Sequence, residues 1–388
     1  MAVNDVPLAS SKSSFIIPVA ALSLYAVASG YLMSLIPLML NQYGLSTDAA
    51  SWLASAFYAG LLLGAMFIEP IVAKVGHQKS FIIFLVLFSL TVVSMPLVPT
   101  LEAWLFTRFI AGIAVAGIFV VVESWLLIGE EKTRAKRLGL YMAALYGGGT
   151  LGQLGIGLFS MDSEWPFVSI LVLLVISTLI LCFGRCQQPA AENHVALNVK
   201  QVLKMNKAAV IGCMVSGLLI GSIYGLMPLE LHDRNVSTSS IGSLMALLVM
   251  GAMLVQPLVS WSSQFMGKKL LMGLFCLLGV FAIGLTTLSS SLVVLAVSLV
   301  LLGMAAFAIY PLAISLGCDG LEESYIVSAT QVMLLAYSVG SVLGPVAAQS
   351  WMNNPEGLIG FLFMILLATS LYMFAMSVKR KSHMVAGK

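Results

Sequence analysis

The chain has 388 residues, 60% of them hydrophobic and only 9% charged, with a mean hydropathy of +1.03 and a formal net charge of +3. Soluble domains carry about 25% charged residues, and surface-to-volume scaling leaves no way to hide this much apolar surface from water. A soluble fold is excluded, and lipid is the solvent for most of the chain.

A membrane-spanning helix needs about 20 mostly apolar residues. Twelve stretches qualify: 15–40, 49–73, 81–99, 103–128, 138–160, 166–184, 208–231, 238–262, 270–289, 292–316, 326–350 and 357–378. They are long and do not alternate with period two, so a β-barrel is excluded. With the N-terminus placed in the cytoplasm, seventeen of the nineteen Lys and Arg fall in tails or cytoplasmic loops; Arg234 lies outside and Arg108 within a span. This positive-inside asymmetry puts both termini in the cytoplasm. It also argues that the net positive charge orients the chain and does not serve nucleic acid.

The first span carries Tyr25 and Ser29. Its small residues "AVASG" imitate a signal-peptide cleavage site, a reading set aside because the span has a twin later in the chain. The second span ends in "GAMFIEP" (64–70), with Glu69, and leads into the basic loop "KVGHQK" with Lys74, Gly76 and Lys79. The fourth holds Arg108 and, fifteen residues on, Glu123. Along a helix that separation is about 22 Å, so the two cannot touch. A charge at mid-bilayer is costly enough that Arg108 is expected to face a cavity or a partner, unless it snorkels to the outer surface. Glu69 and Glu123 are either proton carriers, since burial raises a carboxylate's pKa, or salt-bridge partners of Lys74, Arg134 or Arg137. The fifth span carries Tyr141 and Tyr146. It also holds the pair Gly148/Gly152, spaced for close helix approach. No strand precedes this glycine run, so it is not a dinucleotide fingerprint. No Walker lysine motif occurs either, which excludes ATP as the direct fuel; no cofactor or metal is expected.

The second half repeats the first. "IPLMLNQYGLST" (36–47) matches "MPLELHDRNVST" (227–238) at a spacing of 191. Gly76 and Gly112 meet Gly267 and Gly303 at the same spacing, and "GGTLGQ" (148–153) meets "GSVLGP" (340–345) at 192. "GAMFIEP" meets "GAMLVQP" (251–257) at 187, which implies that the second copy lacks one helical turn and that Gln256 stands in for Glu69. A period of half the chain means two units, separated by an even number of spans and hence parallel. The expected architecture is an all-α membrane protein of twelve transmembrane helices in two six-helix bundles. They are an N-terminal bundle (1–184), a cytoplasmic linker with an amphipathic segment (185–207) and a C-terminal bundle with a short basic tail (208–388). Leu299 stands opposite Arg108 and Ile314 opposite Glu123, so the ionisable chemistry is concentrated in the first half, Glu230 excepted. Tyr224, Tyr310, Gln331 and Tyr337 are the second half's midspan polar and aromatic residues. A Tyr hydroxyl in hydrocarbon needs a partner, which a substrate cavity or a neighbouring helix would supply. Cys182, Cys213, Cys276 and Cys318 lie in or at the ends of spans and Cys186 follows; inert thiols are the expectation over a Cys182/Cys186 metal site.

Twelve spans in 6+6 parallel halves with a basic glycine loop after the second resemble the major facilitator superfamily of secondary transporters. "EP…VGH" (69–77), "VESWL" (122–126) and "GLYMAALYGGGTLGQ" (139–153) look like its bacterial YcaD-like branch. The resemblance implies alternating access to a midplane site for a small-molecule substrate, coupled to protons, in a monomer embedded in the lipids of the cytoplasmic (inner) membrane. Export is favoured over uptake. The rival of another class is a lipid flippase or non-transporting partner protein of the same shape. The superfamily's loop signature is kept at Lys74, Gly76 and Lys79, but Ala73 replaces its Asp; Glu69 or Glu123 would then latch the gate, with Arg134 and Arg137 as partners. The alternative is that these lysines only set topology. Arg108 matches the span-four Arg-x-x-x-Gly pattern associated with proton coupling. Gln153 stands where the antiporter motif has Pro.

Overall fold

The computed structural model describes residues 16–127, 139–159, 163–184, 206–288, 291–320, 323–352, 354 and 356–385. Its long elements are α1 (Ile16–Met39), α2 (Ala49–Phe67), the short α3 (Glu69–Val75), α4 (His77–Leu97) and α5 (Leu101–Leu127). They continue with the helical run 139–154, here α6, and then α7 (Trp165–Phe183), α8 (Lys207–Asp233) and α9 (Thr238–Ser262). The last four are α10 (Lys268–Leu288), α11 (Leu292–Gly317), α12 (Glu323–Met352) and α13 (Gly357–Val385). Eleven of the described helices are long and apolar enough to cross a membrane. The predicted fifth span, α6, is helical over sixteen residues and contains a π turn, Ala143–Gly147, before Gly148–Leu154. The amphipathic segment predicted in the linker, and Arg134, Arg137 and Cys186, lie outside the described residues.

Packing repeats along the chain. α1 packs on α6 as α8 does on α12; α2 and α4 both pack on α5 as α9 and α10 do on α11; α7 joins α1 and α4 as α13 joins α8 and α10. Glycines set these approaches. A Cβ at Gly152 would overlap the Val27 carbonyl, and one at Gly340 or Gly344 would overlap the Met214 or Leu218 carbonyl. Close backbone approach of this kind is what small residues give helices in lipid, where no hydrophobic force drives association.

The glycine contacts also correct the register of the repeat. Gly60 of α2 meets Phe109 and Ile113 of α5, while Gly251 of α9 meets Val300 and Met304 of α11. Reciprocally, Gly112 meets Phe57 and Gly303 meets Leu248. Every one of these pairs is 191 apart. The spacing of 187 between the two "GAM" segments is therefore a local resemblance and not the structural equivalence. No turn is missing from α9. Glu69 is matched in space by Ser260, and Gln256 by Ala65, one turn deeper. The chain differs accordingly at the two prolines. α2 breaks at Ile68 and restarts as α3 with Pro70 in its first turn, where a missing N–H costs nothing. α9 runs unbroken through Pro257, and the side-chain amide of the preceding Gln256 donates back to the Ala252 carbonyl at 3.2 Å.

The helices run alternately between two ends, one marked by Asp48 and the other by Lys74. At the Lys74 end, Gly76 has φ 91°, a left-handed conformation that favours glycine, and joins α3 to α4. Gln78 donates to the Leu181 and Gly184 carbonyls there, and Lys268 pairs with Asp319 and donates to the Ser315 carbonyl, each closing the end of a helix. At the Asp48 end, Glu230 accepts from Arg234 Nε (2.8 Å) and from the Leu358 N–H (2.9 Å), capping α13. The equivalent joint of the first half is apolar: Tyr43 lies edge-on to Phe167, 6.1 Å between ring centroids. The Glu230 that stands apart in the charge pattern is thus part of a structural joint.

Candidate functional site

Contacts between the halves run through α2 with α12, α6 with α9, and α1 and α2 with α8. Two hydrogen bonds between the halves lie towards the Asp48 end. Gln349 Nε2 donates to Asp48 Oδ1 at 2.8 Å, and Ser55 Oγ donates to the Val342 carbonyl at 2.7 Å. The related position on the other side is a backbone approach, where a Cβ on Gly157 would strike Ser239. Asp48 and Ser239 are 191 apart, so the two clasps are repeat-related. Gly157 has φ 92° and needs to be glycine on both counts.

Below these clasps a set of tyrosines from both halves meets. Tyr146, within the π turn of α6, lies edge-on to Phe307 of α11 at 5.9 Å, and Tyr224 of α8 lies edge-on to the same ring at 6.2 Å. Tyr310 and Tyr337 are 4.8 Å apart. π turns inside α-helices concentrate at functional sites because they re-aim side chains; here one aims Tyr146 across the interface. Tyr58 of α2, buried, is within electrostatic reach of Tyr224, Tyr337 and Arg108. It was not singled out from the sequence, although its midspan position in "SAFYAG" was the available signal.

The two charges sit at opposite ends of this set. Arg108 is 4% exposed, so it does not snorkel. Its Nη2 is 3.6 Å from Met33 Sδ and its guanidinium carbon 4.4 Å from the Phe57 ring centroid. Tyr25 and Tyr58 are its polar neighbours, and its Nε has no hydrogen-bond partner. Among the described residues no carboxylate pairs with it. Glu123, by contrast, is exposed although it stands between helices: Tyr141 donates to it at 3.0 Å from α6, and Tyr310 of α11 is within electrostatic reach. That combination means it borders an accessible space between the halves near the Lys74 end. Tyr25, packed on Phe88 and Phe119 with Ser29 beside it, connects the two levels through Arg108 and Tyr141.

Other predicted residues stand apart. Gln331 shares an exposed stripe of α12 with Leu335, Val339 and Leu343, about 120° around the helix from Tyr337. Glu69 is exposed in the first turn of α3, and Lys74 and Lys79 are exposed on either side of Gly76. Gln153, fully buried in α6, carries an amide whose oxygen and nitrogen both lack partners; the sequence marked it only as a departure from a motif.

The sequence profile of the Major Facilitator Superfamily matches residues 19–345. The chain belongs to this superfamily. It is 33% identical over 368 residues to the MFS-type transporter YcaD of Escherichia coli O7:K1 and of Escherichia coli strain K12, covering 93% of this chain and 94% of the relative. Among solved structures it is similar to a mutant of the nucleoside transporter NupG, with a TM-score of 0.75 at 15% identity over 93% of this chain and 98% of that one. It is also similar to a bacterial homologue of the human lysosomal transporter Spinster in an inward-facing, unoccupied conformation (TM-score 0.69, 16% identity, 93% and 94% coverage). The human organic anion transporter MFSD10 gives 0.65 at 15% identity over 93% and 99%. The chain is therefore a multi-pass membrane protein of a transporter family, and its fold is that of a transporter and not of an enzyme.

Proposed function

We propose that this superfamily member is a proton-coupled secondary transporter that moves a small organic solute across the cytoplasmic membrane by alternating access, with export favoured. One observation carries the reading. Titratable and aromatic groups from both repeats converge between the halves, two hydrogen bonds clasp the halves on the Asp48 side, and Glu123 is reachable from the other side. A site open to one side at a time is the requirement of alternating access. In this reading α6 is the fifth of twelve spans, and the bundles are 1–184 and 208–388, joined by the cytoplasmic linker 185–207. The Lys74 end is cytoplasmic because basic residues collect there, and the protein works as a monomer.

Glu123 is the proton carrier, with Tyr141 as its hydrogen-bonding partner. Arg108, at the closed end, senses occupancy of the site. Glu69 is remote from the tyrosines and acts, with Lys74, Gly76, Lys79, Arg134 and Arg137, on the cytoplasmic gate. Tyr25, Ser29, Tyr58, Tyr141, Tyr146, Tyr224, Tyr310 and Tyr337 supply the binding surface. The solved neighbours, at 15–16% identity, lend the fold and no cargo. The test is flux in proteoliposomes under an imposed pH gradient, screened against a chemical library. Solute moving against the proton supports export, solute moving with it supports uptake, and gradient-independent lipid movement overturns the solute reading.

A further inference from the structure

We propose that the transported solute is an organic monoanion, a carboxylate on a flat apolar body, and that Arg108 is the residue that takes its charge. The assignment rests on the transport reading of the same site. Arg108 is 4% exposed and is held by a thioether and a ring face, Met33 and Phe57. Neither is a strong acceptor: a guanidinium has five N–H donors, and a thioether sulfur is a weak partner for one of them. Burying a cation without a counter-ion is costly, and buried charges are accordingly paired in most proteins. Here the polar groups around it are Tyr25 and Tyr58. The hydroxyl of Tyr25, a residue 1% exposed, lies only loosely against Ser29 and makes no well-formed hydrogen bond of its own. Two buried donors with unused capacity therefore lie within electrostatic reach of each other, and an anion between them gives both a partner.

The rest of the site specifies the kind of anion. One cation, with no second Lys or Arg beside it among the described residues, balances one negative charge. The planar guanidinium fork matches a carboxylate in two parallel hydrogen bonds. Arg108 is within electrostatic reach of Tyr58, and Tyr58 of Tyr224 and Tyr337. Tyr224 and Tyr146 frame Phe307. A succession of ring faces and edges accepts a flat apolar body, with the hydroxyls as the few polar groups that orient it. The carboxylate of Glu123, about 22 Å along α5 from Arg108, is too far away to neutralise it and stays free to exchange its own proton.

The test is binding to the purified full-length protein in detergent, without any gradient, read as ligand-dependent thermal stabilisation. The probes are benzoate, its neutral amide benzamide, the cation benzylammonium, and inorganic sulfate. Benzoate is expected to stabilise the protein saturably and the other three to do so far less. Arg108→Gln should weaken benzoate binding by about tenfold or more, the size expected for a lost charge-assisted pair, and leave benzamide unchanged. Arg108→Lys, which keeps the charge and loses the fork, should fall between and carries the test if the Gln variant does not fold. Equal stabilisation by benzoate and benzamide, stabilisation by sulfate that matches benzoate, or wild-type benzoate binding in Arg108→Lys would each overturn the assignment. Proteoliposome flux separates this from the underlying reading. Gradient-driven flux of a neutral or cationic compound with no response to benzoate sinks the anion assignment alone. Arg108-dependent benzoate binding in a protein that transports nothing sinks the transport reading alone.

Discussion

Removing the two polar clasps at the Asp48 end should open that end. The perturbation is Ser55→Ala with Gln349→Ala. The Ser55 hydroxyl, in a buried residue, donates to the Val342 carbonyl at 2.7 Å. That carbonyl also belongs to the interior of α12, so its helical bond survives and no orphan is created. The loss is then the net value of one hydrogen bond, about 0.5–1.5 kcal/mol. The Gln349–Asp48 bond, at 2.8 Å, is exposed to solvent, which puts it at the lower end of the same range, about 0.5 kcal/mol. Asp48, at the N-terminal cap of α2, and Ser55 are seven residues apart, about 10 Å along the helix, far enough for the two losses to add. The sum is about 1–2 kcal/mol, or about 5- to 30-fold in the equilibrium between the closed and open Asp48 end. The sign favours the open form, because both bonds join the halves and are lost when they separate. Spin labels at Thr47 and Ser350, both exposed and on opposite halves, report the distance directly. The double variant should shift the distance distribution towards longer values, and Asp48→Asn, which keeps an acceptor oxygen, should stay close to the parent. An unchanged distribution in the double variant would refute the reasoning, since it would mean that apolar packing alone holds the end closed.

Glu123→Gln should reduce gradient-driven flux at least about tenfold while leaving gradient-free solute exchange intact, because an amide still accepts from Tyr141 and cannot carry a proton; normal driven flux would remove Glu123 from coupling. Glu69→Gln should cost less than Glu123→Gln in the same assay, since Glu69 is exposed in α3 and remote from the tyrosines; the reverse order would relocate the coupling carboxylate. Glu230→Ala should destabilise the protein by about 1–3 kcal/mol, because the buried Leu358 N–H loses its acceptor, with Glu230→Gln milder and neither selectively impairing coupling; thermal unfolding in detergent checks it. A cysteine at Asn41 should label from outside intact cells and one at Lys268 only after permeabilisation; the opposite pattern would invert the topology.

Composition and period together prescribe the class of fold. A chain with 9% charge has few places to put ionisable groups, so Arg108 and Glu123 stand out at once, and a half-length repeat implies paired bundles whether or not any contact is known. The midspan tyrosines are legible for the same reason, as costly hydroxyls in hydrocarbon. Even the close helix crossings can be read from Gly148/Gly152 and Gly340/Gly344, because spacing along one helix is a local property.

Everything that depends on two helices at once was decided by the tertiary structure. String similarity paired Glu69 with Gln256 at a spacing of 187; packing of Gly60 and Gly251 against equivalent carbonyls holds the register at 191 and moves Gln256 one turn deeper. Four identical letters are a weaker constraint than a backbone contact that admits no side chain. Gln331 and Tyr337 look alike as midspan polar residues, yet a helix turns about 100° per residue and carries one to an exposed stripe and the other to the interface. Tyr58 gains its interest only from Arg108 on a neighbouring helix and Tyr224 and Tyr337 in the other half. The sequence by itself determined which residues are expensive to place in lipid. Only the three-dimensional packing decided which of them meet, because partners for a buried charge come from neighbouring helices whose faces no single span records.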